Sequence, residues 1–134
     1  MGAWSSGSFE NDDALDWVYE LEESGIGAIR ETLEGVIAQD GYLEASDACC
    51  AVAAAEVIAA SLGKPPHGDL PDEVSEFLQS EPAIGVDLVE LARTALGRVM
   101  SADSELLELW RDTADFAEWQ AGVNSIATRL SPPT

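Results

Sequence analysis

Ala45-Ser46-Asp47-Ala48-Cys49-Cys50-Ala51-Val52-Ala53-Ala54-Ala55-Glu56-Val57-Ile58-Ala59-Ala60-Ser61-Leu62 holds eight alanines, and Glu56 is the one charge between Asp47 and Lys64. Alanine loses no side-chain entropy in a helix and heads the propensity scale, so this stretch reads as helix. Ala48, Val52, Ala55, Ala59 and Leu62 share one face, and Cys49, Ala53 and Ala60 form another. A helix that is apolar on several faces belongs in the middle of a bundle. Its small side chains let neighbouring helices approach closely. Gly63 closes it. Glu56 then becomes a buried carboxylate, which must be paired or protonated. Arg30 and Arg93, on neighbouring helices, are the partners expected for a structural ion pair. Simple exposure and a catalytic role are the alternatives, and buried pairs are commoner than active sites.

The segments around this helix are helical as well. Asn11 is a good N-cap, and Asp12 and Asp13 suit the positive end of the first helix. Ala14, Trp17, Val18 and Leu21 follow the i, i+3, i+4, i+7 spacing of a buried stripe, and Gly25 stops the helix. A second helix is predicted over about 27–39 with Ile29, Leu33, Val36 and Ile37 inward. The Ala-rich helix occupies 45–62. Lys64-Pro65-Pro66-His67-Gly68 is a loop, and Pro71 suits the first turn of a short helix over 71–79 that presents Val74, Phe77 and Leu78. A fifth helix spans about 84–100 and buries Ile84, Leu88, Leu91, Ala92, Ala95 and Val99. The sixth starts at Asp103 or Ser104 with Leu106, Leu107 and Trp110 inward. The last carries Phe116, Trp119, Val123, Ile126 and Leu130. The expected fold is all-α: one compact domain over 1–134 of six to seven helices around the Ala-rich one, with 1–10 an extended arm and 131–134 a tail. Trp4 and Phe9 should pin the arm, and Trp17, Trp110 and Trp119 should anchor the core.

The chain has 134 residues, 26 acids and 6 Lys plus Arg, for a formal charge of −20. Such a balance excludes bare nucleic acid and anionic membranes as direct partners, because both demand positive charge. No apolar run approaches the roughly 20 residues of a membrane span. No basic-then-apolar opening marks a secretory signal. Met1-Gly2-Ala3-Trp4-Ser5-Ser6 fits a loose myristoylation pattern, yet no basic residue nearby supplies a second anchoring signal. Cys49 and Cys50 are adjacent, so their side chains diverge on a helix. Reduced thiols and a cytoplasmic location are expected.

Met1-Gly2-Ala3-Trp4 and Gly7-x-Phe9-Glu10-Asn11-Asp12-Asp13-Ala14-x-Asp16-Trp17 resemble the opening of a family of short bacterial proteins classed as a domain of unknown function. The likeness continues in Ala53–Ala60, Gly63-x-Pro65, Ser104–Trp110 and Glu118-Trp119. Ser5 departs from that family's usual glycine, and the resemblance implies an altered tight turn there. The resemblance implies a helical, cytosolic bacterial protein and supplies no reaction, cofactor or catalytic residue.

Chemistry-bearing residues are sparse. His67 is the single histidine and sits in a Pro/Gly loop without a metal-binding motif. Cys49 and Cys50 lie in apolar helix, where burial quiets a thiol, and no base stands beside them in sequence. Gly25-Ile26-Gly27 is too short for a phosphate loop. Asp12, Asp13 and Asp16 lack the spaced oxygens and glycine of a calcium loop. No catalytic residue, metal or cofactor is expected.

The acids nevertheless have a pattern. Asp13, Asp16, Glu20 and Glu23 recur at spacings of 3, 4 and 3, which places them on one helix face. Glu105, Glu108, Asp112 and Asp115 repeat that spacing, with Arg111 beside them. Residues 1–23 hold seven acids and no Lys or Arg. The leading reading is a non-enzymatic module whose acidic face engages a basic protein, as an inhibitor or an immunity-type neutraliser. A small metal- or carboxylate-dependent enzyme using Glu56 and the N-terminal acids is the second. The third is that a GC-rich or salt-adapted proteome, with few lysines, made the surface acidic for solubility alone.

Overall fold

The structure, a computed structural model, describes residues 9, 11–63, 70–80 and 84–131. Among these residues it contains seven helices: α1 (Asp12–Ser24), α2 (Ile26–Ala38), α3 (Ala45–Ser61), α4 (Asp72–Ser80), α5 (Val86–Val99), α6 (Glu105–Arg111) and α7 (Phe116–Leu130). No β-strand occurs among them, and the all-α expectation holds. Trp4, the rest of the arm before Phe9, Lys64, His67 and the Pro132-Pro133 tail lie outside the described residues.

The N-terminus of α1 is fixed as its sequence predicts. Asn11 Oδ1 accepts the Ala14 backbone N–H at 2.7 Å, satisfying a donor that the helix leaves open. Ala14, Trp17, Val18 and Leu21 are all buried. Gly25 then serves both as the end of α1 and the start of α2. Its N–H donates to the Leu21 carbonyl at 2.8 Å, and its own carbonyl accepts from Ala28 at 3.0 Å. Its φ of 58° and ψ of −131° suit only glycine, and this one-residue joint starts α2 at Ile26, one position earlier than the sequence pattern suggests. Trp17 Nε1 donates to Thr32 Oγ1 at 2.8 Å, which fastens α1 to α2 across the joint.

Helix α3 is the axis of the molecule, in contact with each of the other six helices. Its buried residues run from Ala48 and Cys49 through Ala51 to Ala59 without a break, so the whole circumference is covered. Ala51, Ala53, Ala54 and Ala55 are completely excluded from solvent. At these alanines only a methyl group separates the α3 backbone from its neighbours, while Val52, Val57 and Ile58 add the larger buried side chains of the helix. Leu62 differs from expectation: α3 ends at Ser61, Leu62 becomes the cap residue, and its side chain is exposed. Ile37, Leu78, Ile84, Leu91, Leu107 and Phe116 pack on the rim of the core rather than inside it.

A clasp that the helical pattern does not reveal joins the α2–α3 connection to the α5–α6 connection. Leu43 is fully buried and lies parallel to Ser104 in an isolated bridge. The Leu43 N–H donates to the Asp103 carbonyl at 2.7 Å, and Glu105 N–H returns a bond to Leu43 at 2.9 Å. Arg98 Nη2 donates to the Gly41 carbonyl. The Glu105 carboxylate accepts the Ala45 N–H at 2.7 Å, giving α3 an acidic cap supplied by another helix. The Tyr42 hydroxyl donates to Glu108, and that bond with the carboxylate's charge pushes the phenol up to about 12.

Enlarging the centre of α3 should therefore be costly. Ala54→Leu adds three carbons where no space exists and is expected to destabilise by about 1–3 kcal/mol or more, as overpacking does. Chemical denaturation reads this as a lower midpoint at unchanged slope. An unchanged midpoint would contradict the close packing around α3.

Candidate functional site

The charge that the sequence places inside α3 is indeed inside. Glu56 is 2% exposed, and its partner is Arg129 in the last turn of α7. Nη1 reaches Oε2 at 2.5 Å and Nη2 reaches Oε1 at 3.1 Å, a two-pronged contact between planar groups. Arg129 Nε also donates to the Ser125 carbonyl and hydroxyl, both at 3.3 Å, which orients the guanidinium. The expected partners are otherwise engaged. Arg30 pairs with Asp87 and, at 3.9 Å, with Glu34; Arg93 pairs with Glu90 at 3.5 Å. The Asp87 hydrogen bond raises the Arg30 pKa above its ordinary value, and the same bond lowers that of Asp87. Arg129 follows Ile126 by three residues and precedes Leu130, on the flank of the α7 stripe. That position was the available clue. Which helix crosses α3 at the level of Glu56 is a property of the assembled bundle.

The acidic face of α1 divides in two. Asp13 is half-buried and Asp16 exposed, and neither lines the cleft that the other two border. Glu20 and Glu23 stand on a cleft of about 480 Å³ between α1, α2 and α3. Glu31 of α2 and Asp47 of α3 bring two further carboxylates to it, and the lining contains no Lys or Arg. Ser24, Thr32 and Gln39 add neutral hydrogen-bonding groups, while Trp17 and Cys50 contribute to its inner wall. Glu31 and Asp47 escape a reading of the sequence because they join the cleft only through the crossing of three helices. Four carboxylates thus line one hollow with no basic side chain in its lining.

Both thiols are shifted, chiefly by burial. Cys49 is buried, and Cys50 borders the cleft with its Sγ 3.7 Å from the Asp13 carbonyl. Burial, reinforced by the Asp13 charge, pushes Cys49 up to about 12. Cys50 is likewise pushed up to about 12, first by burial and then by Asp13, Cys49, Glu20 and Asp47. Thiols held this far above neutrality are poor nucleophiles.

Two members of the second acidic row have structural partners: Glu105 caps α3 and Glu108 accepts from Tyr42, while Asp112 and Asp115 are exposed. Phe9, Trp17, Trp110 and Trp119 are all buried. The Trp110 and Trp119 rings stack with centroids 6.1 Å apart and planes within 8°, joining α6 to α7. Among the described residues no three His, Cys, Asp or Glu side chains are grouped to hold a metal ion, so Asp12, Asp13 and Asp16 make no such cluster. No helix among them is long and apolar enough to cross a membrane.

An all-α bundle built round an alanine helix, with an acidic cleft on one side, is thus the class of molecule that the fold defines. Residues 2–122 match the family model of a domain of unknown function, DUF4259, and the chain belongs to that family. No curated protein and no solved structure matches it.

Two outcomes follow from this geometry. Arg129→Ala strands the Glu56 carboxylate and is expected to cost about 3–5 kcal/mol, the usual penalty for halving a buried pair. The melting temperature should fall by on the order of 10 °C, and less in Glu56→Gln, whose remaining cation has some access to water. Equal, negligible shifts would contradict a pair that holds α7 on α3. For the thiols, alkylation of the native protein should accelerate roughly tenfold per pH unit from 8 to 10, with no plateau near 9. A plateau there would show that the thiols ionise like free ones.

Proposed function

We propose that this protein is a non-enzymatic binding module whose acidic cleft receives Lys or Arg side chains of a basic protein partner, in an inhibitory or immunity-type role. The observation that carries this reading is the convergence of Glu20, Glu23, Glu31 and Asp47 from three helices on one hollow whose lining has no Lys or Arg. The other acids argue in the same direction by contrast. Glu56, Asp87, Glu105 and Glu108 have partners within the protein, whereas the cleft presents its carboxylates to the solvent side. A partner bringing two or three cations would find carboxylates from three helices along one hollow. Association would be fast at low salt and would weaken once the screening length falls to about 10 Å near 0.1 M.

The bulk charge of −20 favours basic partners in general and keeps the surface soluble. It also disfavours nucleic acids and anionic membranes. The resemblance of the Met1–Trp17 opening to short bacterial chains, together with two free cysteines, supports a reduced bacterial cytoplasm as its location. Neither low-pKa nucleophile nor metal cluster accompanies the cleft among the described residues, which is why binding is preferred to catalysis.

The experiment compares two variants of equal charge. One carries Glu20→Gln, Glu23→Gln, Glu31→Gln and Asp47→Asn. The other neutralises exposed acids elsewhere: Asp40→Asn, Asp112→Asn, Asp115→Asn and Glu118→Gln. Titration calorimetry with an oligo-arginine peptide at low salt should show about tenfold or greater weakening for the cleft variant, since each of the four lost contacts removes about 0.2–1 kcal/mol. The control should change by less than about threefold on the same scale. Equal weakening of both would mean that the acidity acts only in bulk, as the proteome-wide reading holds.

A further inference from the structure

We draw no further inference here: the strongest candidate, the open groove between α5 and α7 lined by Arg93, Gly97, Met100, Val123 and Ala127, carries nothing because no feature of the structure shows what covers it.

Discussion

Close approach to a helix of alanines is the constraint on which this fold rests. Six helices can touch one only if its side chains are short, because each larger residue on α3 would push a neighbour away. Alanine satisfies this while also being the strongest helix former, so local propensity and global packing ask for the same residue. Larger side chains come from the surrounding helices: Trp17, Leu21, Ile29, Leu33, Leu88, Trp110 and Trp119 fill the space that α3 leaves. The same closeness brings α1 and α2 together on one flank of α3. It is there that four carboxylates line one hollow.

Placing a carboxylate in such a helix needs an exact answer from the rest of the chain. Arg129 gives it from α7, with Ser125 steadying the guanidinium. An apolar pair of similar shape could be as stable, so the ion pair contributes specificity more than energy: α7 has one register in which Glu56 is satisfied. Elsewhere the acids do ordinary structural service. Glu105 caps α3, Glu108 holds Tyr42 in the clasp, and Asp87 ties α5 to Arg30 of α2. The net charge is therefore not a uniform property of the surface. Some of it is built into the bundle, and the proposed binding role draws on a part that is not.

What could be read from the sequence follows the range of the interactions. Periodicity and caps depend on neighbours a few residues away, so the stripe Ala14–Leu21, the Asn11 cap and the central position of α3 were all legible. Burial of Glu56 was legible too, because it followed from α3 being covered on every side. Its partner was not: Arg30, Arg93 and Arg129 are equivalent until the helix crossings are known. The Leu43–Ser104 clasp lacked any periodic signature, and the contribution of Glu31 and Asp47 to the cleft depends on three helices at once. Leu62 was misjudged for a smaller reason: the helix ends one residue before it, and the cap position turns its side chain to solvent.

The central functional claim is that cations are received at one place, between α1, α2 and α3. Amide chemical-shift mapping during titration with an oligo-arginine peptide tests it most directly. The account predicts saturable shifts concentrated on Glu20, Glu23, Glu31, Asp47 and Cys50, reversed by added salt. Shifts spread evenly over the acidic surface, reaching Asp112, Asp115 and Glu118 as strongly, would contradict it.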